Sequence, residues 1–361
     1  MQPALKNKMI YRYLGNSGLK VSVISWGNWI NTKDENDVTY ETVKTAIEGG
    51  VNFFDTAEIY GFGEGETSLG AALKKLGTRR EDLVISTKIF RSGMGVNDSF
   101  LSRKHIIEGL NNSLKRLQLD YVDVVFCHRF DRNTPLEETC RAMNWVIEQG
   151  KAFYWGTSEW SASEIGQALQ ICEKLNLIKP IVEQCQYNMM IREKMEGEYV
   201  HLFQTTKLGT TVWSPLFSGV LTGKYMNGIP EGTRFDAFAA NTRLHYDLYI
   251  KNKEAWDAKL TQLKAIAERL GFSLAQLAIA WVIKNTDVST CIVGASKASQ
   301  LSENLRALEL LDVYTNEVEQ EIEAVLGNSP ACQIDWLTFS KLAPRRRILL
   351  GINPDEKVSL I

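Results

Sequence analysis

The feature that most constrains this chain is a repeated alternation of short apolar runs with segments of helical spacing. Beginning at residue 20, eight apolar runs of strand length are each followed by such a segment. Alternation of this kind requires parallel strand pairing with right-handed crossovers, and eight units close a sheet into a barrel. The sequence therefore predicts an α/β fold, a (β/α)8 TIM barrel. An open, doubly wound sheet is the alternative, because strands are easily miscounted from sequence.

The predicted elements cover most of the chain. Strands are expected over 20–25, 51–54, 83–89, 121–127, 152–157, 181–186, 210–213 and 289–293. Helices are expected over 40–48, 66–76, 102–117, 136–149, 161–175, 198–207, 254–270, 273–284 and 298–308, with an irregular loop over 218–252. We expect one domain over 1–327, and a C-terminal tail over 328–361 that lacks clear periodicity and forms an appendage.

Length and charge narrow the class of protein. The chain has 361 residues, and barrels of this kind commonly run to ~250 residues or more as one unit. Its 41 Lys and Arg against 43 Asp and Glu give a formal net charge of -2. This balance offers no global attraction to nucleic acid or to an acidic membrane, so a small-molecule substrate is expected.

Cysteine spacing and hydropathy point to a reducing compartment. The six cysteines form no CxxC pair and no cluster with histidines, so neither a metal site nor a disulfide framework is predicted. The first fifteen residues are basic but lack an apolar stretch, and no segment reaches ~18 uninterrupted apolar residues. We therefore expect a cytoplasmic protein without direct membrane insertion.

Four polar residues follow the first strands in a pattern that predicts a proton-donor site. Asp55 and Lys88 close two predicted strands, Tyr60 lies in the loop after the first, and His128 follows the fourth. The same edge of a parallel sheet would hold them all, and chemistry is done at that edge. A lysine ammonium would favour the tyrosinate and lower the tyrosine pKa, the carboxylate would hold the lysine, and the histidine could donate to the same substrate oxygen.

Each of these residues also has a structural alternative. Asp55 could cap a helix, Lys88 could extend to solvent, and His128 could be a core histidine with its hydrogen bonds satisfied. Tyr60 could lie on the surface. Their grouping at one edge favours the functional interpretation, because four independent coincidences would otherwise be needed.

Two later loops are candidate anion sites. The loop GFGEGE over 61–66 lacks the third glycine of a dinucleotide fingerprint, and its carboxylates would repel a pyrophosphate, so we interpret it as a flexible loop. WSPL over 213–216 and GASK over 294–297 follow the last two predicted strands, where barrels of this type bind phosphate. Ser296 and Lys297 at a helix N-terminus favour NADP over NAD, although an ordinary serine cap beside a solvated lysine is the alternative.

These residues, read with their neighbours, resemble the aldo-keto reductase family. The motifs are WGTSEW, EQCQYN, WSPLFSGVLTGKY and GASKASQLSEN, together with the long segments over 102–126 and 265–281. The likeness runs from about residue 11 to residue 327 and is strongest to the branch of voltage-gated potassium channel β subunits. It implies a barrel that binds NADP(H) at its C-terminal face without a Rossmann domain.

The resemblance also implies roles for individual residues. Tyr60 would be the proton donor, with Lys88 and Asp55 tuning it and Trp213 packing on the nicotinamide. The cofactor-binding residues would be Trp29, Asp55, Ser158, Gln184, Trp213, Ser214, Pro215, Leu216, Ser218, Lys224, Arg234, Gly294, Ser296, Gln300, Glu303 and Asn304.

Three departures from that branch stand out. His128 replaces the branch's usual asparagine and matches the catalytic reductases, while Glu159 replaces its usual arginine and is expected to weaken cofactor contacts. The long inactivating N-terminal arm of some β subunits is not evident, so a pore-plugging role is not expected.

Two functions therefore compete. One is NADPH-dependent reduction of an aldehyde or ketone substrate. The other is regulation of a voltage-gated potassium channel by a cytoplasmic homotetramer that uses NADP(H) as a redox sensor. The two functions are compatible with each other.

Overall fold

The computed structural model describes residues 9–29, 37–236 and 242–330. The first elements among the described residues are two short antiparallel strands, β1 (Tyr11–Tyr13) and β2 (Lys20–Ser22). Eight parallel strands follow and form a closed ring: β3 (Ile24–Gly27), β4 (Phe53–Asp55), β5 (Val84–Ile89), β6 (Val122–Cys127), β7 (Ala152–Ser158), β8 (Val182–Gln184), β9 (Gly209–Val212) and β10 (Thr290–Val293). Because β10 pairs with both β9 and β3, the predicted (β/α)8 barrel is confirmed and the open-sheet alternative is wrong.

Helices surround this ring and alternate with its strands. Within the described residues they are α1 (Val38–Glu48), α2 (Glu64–Leu76), α3 (Arg103–Leu117), α4 (Leu136–Glu148), α5 (Ala162–Lys174), α6 (Val200–Thr206), α7 (Arg243–Arg269), α8 (Leu274–Lys284), α9 (Ala298–Leu305), α10 (Ala307–Leu310) and α11 (Asn316–Leu326). Ser161 and Ser273 open α5 and α8 with capping boxes, which satisfy backbone donors that a helix start would otherwise leave free.

Two apolar clusters divide the core between the inside and the outside of the barrel. The smaller one contains Phe53, Val124, Phe126 and Val182, with Leu14 from the β1–β2 hairpin. The larger one fills the space between strands and helices. Successive side chains of a strand point to opposite faces, so the smaller cluster marks the residues that face the barrel interior.

The first predicted strand needs correction. The run over 20–25 is divided at Val23: β2 pairs with β1 in a hairpin, and only β3 belongs to the barrel. Val23 donates to the carbonyl of Ile10, and the Ser22 amide donates to Asn52 Oδ1. The hairpin was not predicted, because pairing across the end of a barrel leaves no periodic signal in three-residue strands.

Other boundaries also differ from prediction. Residues 61–66 are not a loop: Tyr60–Gly63 form a 3-10 turn, and Glu64 begins α2. The predicted irregular loop ends early, because α7 already begins at Arg243, and α11 was not predicted. The helix predicted over 298–308 is divided into α9 and α10.

Two further expectations meet the structure only in part. Most of the predicted tail, residues 331–361, lies outside the described residues, so the single domain over 1–327 stays a prediction. In the described chain no single helix is long and apolar enough to cross a membrane. Helices α7 and α8 pass that test only as a pair, and they are bent by 88°.

Candidate active site

Strand alternation explains why polar side chains gather at one end of the barrel. Phe53 and Phe126 face the interior, so Asp55 and His128, each two residues further on, point the same way at the C-terminal ends of β4 and β6. The same period takes Val182 to Gln184 on β8. The side chains inside the barrel are therefore apolar, and those at the C-terminal ends of the strands form a polar layer. Active sites of barrels of this type lie at these C-terminal ends.

Lys88 is the centre of this layer. It is fully buried, and its Nζ donates to Asp55 Oδ2 at 2.5 Å, to the carbonyl of Thr56 at 2.7 Å and to the Tyr60 hydroxyl at 3.1 Å. An ammonium has three donors, and all three are used. Burying a charge costs free energy unless the charge is paired and hydrogen-bonded, and these three contacts supply that compensation for Lys88.

Asp55 is itself held from two further sides. Ser86 Oγ donates to Asp55 Oδ1 at 2.7 Å, and Gln184 Nε2 approaches the same oxygen at 3.2 Å. Gln184 Nε2 also donates to Thr211 Oγ1 at 3.2 Å. These bonds fix the carboxylate, and through it the position of the Lys88 ammonium beneath Tyr60.

Burial keeps Tyr60 protonated, and the neighbouring Asp55 and Tyr60 keep Lys88 protonated. Burial raises the pKa of Tyr60 above its ordinary value, and the neighbouring Lys88 offsets this only in part. Lys88 lowers the tyrosine pKa, as expected, but the net shift is upward because desolvation of the phenolate is the larger effect. Burial opposes the charged form of Lys88, yet Asp55 and Tyr60 raise the lysine pKa overall.

His128 lies beside Tyr60 at the same edge. The two ring centroids are 5.8 Å apart and the planes meet at 78°. Burial, together with the positive charges of Lys88 and Arg129, holds the pKa of His128 well below its usual range. The imidazole is therefore neutral at neutral pH and can donate one hydrogen bond from one ring nitrogen.

Ser158 and Arg129 border this cluster. Ser158 Oγ donates to the carbonyl of Gln184 at 3.0 Å and accepts from Arg129 Nη1 at 3.3 Å. The guanidinium of Arg129 also donates to the carbonyl of His128. Arg129 was not predicted as a site residue. Its position directly after the strand-end histidine is the only sequence signal that could have indicated it.

Trp213 directly follows β9 and lies at the same end of the barrel. It is half-buried, its Nε1 donates to Glu159 Oε1 at 2.8 Å, and His245 stacks on it with centroids 6.0 Å apart. The Glu159 carboxylate contacts the indole edge, and the expectation that Glu159 weakens cofactor contacts stays a prediction. His245 falls in the segment predicted as an irregular loop, so sequence reasoning missed it.

The segment after Trp213 turns sharply. Ser214, Phe217 and Ser218 all have positive φ, at 57°, 45° and 54°, a region that non-glycine residues rarely adopt. Pro215 and Leu216 lie within this turn. Ser218 is buried and its Oγ lies 2.6 Å from His245 Nδ1, so this side chain is directed into the protein.

A pair of cations lies near this turn without a carboxylate partner in the described part of the chain. Lys224 is exposed and Arg234 is half-buried, and the Arg234 guanidinium lies 5.7 Å from the Trp29 ring centroid. Burial and the charge of Arg234 lower the pKa of Lys224, and burial also lowers that of Arg234. Two adjacent cations that are not neutralised by the protein suit an anionic group such as a pyrophosphate.

The loop from Gly294 leads into α9, whose first turn is preceded by Lys297. Ser296 and Lys297 are exposed, and both the amide and the Oγ of Ser296 donate to Gln300 Oε1, at 3.1 Å and 3.0 Å. Gln300 shares one face of α9 with Glu303 and Asn304, at spacings of three and four residues. Ser296 precedes the helix by two residues and does not cap it.

Comparison with known proteins now decides the family. The aldo/keto reductase family model matches residues 24–326, which spans the whole barrel. The chain belongs to the aldo/keto reductase family. Members of this family are oxidoreductases and generally bind NADP(H). The resemblance drawn from the motifs is thereby confirmed.

Curated relatives carry a second description. A probable voltage-gated potassium channel subunit beta from Oryza sativa subsp. japonica is 50% identical over 328 residues, covering 89% of this chain and 98% of the relative. A protein with the same name from Arabidopsis thaliana is 49% identical with the same coverage. A putative voltage-gated potassium channel subunit beta from Schizosaccharomyces pombe is 48% identical over 326 residues, covering 89% of this chain and 94% of the relative.

Proposed function

We propose that this protein reduces an aldehyde or ketone to the alcohol with NADPH, and that Tyr60 donates the proton. The observation that carries the proposal is the buried Lys88 ammonium, which contacts both the Tyr60 hydroxyl and the Asp55 carboxylate. A tyrosine that stays protonated at neutral pH and faces a fixed cation is suited to protonating a carbonyl oxygen.

The roles of the residues follow from their contacts. A bound nicotinamide supplies the hydride. Tyr60 gives its proton to the carbonyl oxygen, and the phenolate left behind lies 3.1 Å from Lys88 Nζ, where the positive charge stabilises it. Asp55 keeps Lys88 charged and in place. Neutral His128, next to Tyr60, donates a hydrogen bond to the same oxygen as negative charge develops on it.

Other residues are proposed to hold NADP(H). Trp213 would pack on the nicotinamide, and Ser158 with Gln184 would contact its amide. Lys224 and Arg234 suit the pyrophosphate because no described carboxylate neutralises them. The remaining proposed contacts, toward the pyrophosphate, the adenine and the 2′-phosphate, are Trp29, Ser214, Pro215, Leu216, Ser218, Gly294, Ser296, Gln300, Glu303 and Asn304.

Two measurements on the purified protein test this proposal. A panel of aldehydes and ketones should cause loss of NADPH absorbance, and calorimetry should show tighter binding of NADPH than of NADH. Pocket loops set the substrate, so the panel should include aliphatic and aromatic carbonyls. Equal affinity for the two nucleotides would refute the 2′-phosphate site, and failure of every carbonyl to oxidise NADPH would refute the reductase assignment.

A second function is favoured by the relatives. They are named as channel β subunits, and the chain covers 94% to 98% of their length. We therefore also propose that the protein docks, as a cytoplasmic homotetramer, on the cytoplasmic domain of a voltage-gated potassium channel and acts with bound NADP(H) as a redox sensor. A fourfold partner predicts a cyclic tetramer. Light scattering that gives only a monomer at micromolar concentration would count against docking, and co-purification with a channel would support it.

A further inference from the structure

We infer that Glu159 is a positioning residue that fixes the indole of Trp213 in the orientation needed to pack on the nicotinamide. The inference rests on the proposed function for the role of Trp213. The contacts between Glu159 and Trp213 are observed in the structure and do not depend on the proposed function.

The Glu159 carboxylate holds the indole edge with a charge-assisted hydrogen bond. Its Oε1 accepts from Trp213 Nε1 at 2.8 Å and from the backbone amide of Gln186 at 2.6 Å. Its Oε2 pairs with Lys194 Nζ at 2.8 Å. Since both oxygens are engaged and the charge is neutralised by Lys194, the carboxylate has a single well-defined position from which to hold the indole.

The backbone at Glu159 is also specialised for this contact. Its φ is +60°, in the left-handed region that non-glycine residues seldom adopt. Its amide donates to the carbonyl of Gln184 at 3.1 Å, so the chain is still tied to β8 at this point. A strained conformation persists where surrounding contacts hold it, and here those contacts are the ones that orient the carboxylate.

His245 holds the indole from a second direction. The two rings are nearly parallel, at 22° with centroids 6.0 Å apart. His245 Nε2 lies 3.0 Å from Gln186 Nε2, and its Nδ1 lies 2.6 Å from Ser218 Oγ. An amide NH2 only donates, so His245 Nε2 accepts and the ring proton is on Nδ1. Burial and the charge of Arg234 lower the pKa of His245 to about 4, so this arrangement persists at neutral pH.

The indole is therefore fixed at its nitrogen by Glu159 and on one face by His245. Gln186 joins the two supports, because its amide contacts Glu159 and its side chain contacts His245. We infer that the opposite face of Trp213 is the one that packs on the nicotinamide. An arginine at position 159 would have no acceptor for the indole N–H, which gives the glutamate a role of its own.

The test uses the intact protein labelled with 5-fluorotryptophan and no nucleotide. Trp213→Phe assigns the Trp213 fluorine signal. Glu159→Gly removes the carboxylate, and a glycine adopts the positive φ at this position without strain. We expect the Trp213 signal to shift and broaden in Glu159→Gly and to stay sharp in Glu159→Gln, which keeps an acceptor. Glu198→Gln is the matched control, since its carboxylate accepts from the Ala162 amide and does not contact the indole.

A second measurement follows the chemical step in single turnover with NADPH. Misplacement of a reacting partner costs rate, so Glu159→Gly should slow hydride transfer by about 10- to 100-fold. In a Trp213→Phe background the same change should add no further loss, because Glu159 acts through the indole.

The outcomes separate the two proposals. An unchanged Trp213 signal in Glu159→Gly would overturn the positioning role while leaving the reductase assignment intact. Additive losses in the double variant would also overturn it. A shifted signal in a protein that reduces no carbonyl would uphold the Glu159 contact and contradict the proposed function.

Discussion

At the N-terminal end of the barrel, Leu14 packs among Phe53 and Val124 in an apolar cluster, whereas the C-terminal end of the same strands buries the Lys88–Asp55 ion pair. Both ends are closed to solvent at these residues, so burial alone does not distinguish them. The difference is chemical: one end is filled by groups that gain from leaving water, and the other by charges that lose solvation and need partners.

At the N-terminal end, the β1–β2 hairpin is joined to the rest of the protein by Arg12. Arg12 reaches across to α8 and donates to the carbonyls of Ile283, Asn285 and Val288, at 2.7, 2.9 and 2.6 Å. Ile283 and the C-cap residue Asn285 lie at the end of the helix, where intrahelical partners run out, and Val288 lies between the helix and β10. Lys88 instead directs its three donors to Asp55, Thr56 and Tyr60 at the opposite end of the strands, where we propose that the substrate binds. Changes at the two ends should therefore separate stability from activity.

The largest effect is expected for Tyr60→Phe. The phenol acts on the substrate oxygen, so carbonyl reduction should be lost, by about 100- to 10,000-fold in kcat as for loss of a general acid, with NADPH affinity nearly unchanged. Stopped-flow turnover and calorimetry measure the two quantities. If the variant turned over like the wild type, Tyr60 would not be the proton donor, and the C-terminal end would not be distinguished from the N-terminal end by its role in catalysis.

Leu14→Ala probes the opposite end. The side chain is fully buried, so its truncation should lower the free energy of unfolding by about 2 to 5 kcal/mol while leaving kcat nearly unchanged. Urea denaturation and steady-state turnover measure the pair. Leu244→Ala is the matched control, because Leu244 is 75% exposed and its truncation should change stability by less than about 0.5 kcal/mol. A large loss of kcat in Leu14→Ala would show that the two ends are not separable.

His128→Asn tests whether the active end depends on the imidazole. Its neutral ring lies beside Tyr60 and can donate to the developing alkoxide, whereas an asparagine amide donates from a shorter side chain in another place. We expect kcat to fall by about 10- to 1,000-fold, as for loss of an oxyanion donor, with little change in NADPH affinity. An unchanged rate in single turnover would make His128 a rim residue. The wild type should also reduce model aldehydes faster than β subunits with asparagine at this position.

The smallest effect is expected at the outer edge of the active end. Lys297→Gln should weaken NADPH binding by about 1 to 3 kcal/mol and leave NADH binding unchanged, if the ammonium contacts the 2′-phosphate. Titration calorimetry with both nucleotides measures this difference. Lys174→Gln on α5 also removes an exposed charge and serves as the control. Equal losses for NADPH and NADH would refute the assignment of Lys297.

Sequence reasoning located the residues that strand ends position. The period of two along a strand and the parallel order of the strands determine that Asp55, Lys88 and His128 share an edge, and both signals can be read locally. The contacts of Lys88 with Asp55 and Tyr60 then follow from proximity. The barrel itself was predictable for the same reason, since each βα unit repeats the same pattern.

Contacts between distant segments were not predictable in that way. Glu159 follows β7 and His245 lies in the first turn of α7, which places them 54 residues before and 32 residues after Trp213. No local pattern indicates that the two side chains meet the same indole. The balance of charge and burial at Tyr60 also depends on how deeply the ring is packed, which the sequence does not state. Tertiary packing decides both, and the same is true of the β1–β2 hairpin.

The central claim is that hydride and proton are both delivered at the Lys88–Tyr60 end of the barrel. Single turnover with NADPH carrying deuterium at the nicotinamide C4 position, followed by mass spectrometry of the product, tests it most directly. The account predicts deuterium on the carbinol carbon with the wild-type protein and almost none with Tyr60→Phe in the same time. Recovery of unlabelled aldehyde and intact deuterated NADPH from the wild-type protein, across the whole carbonyl panel, would contradict it.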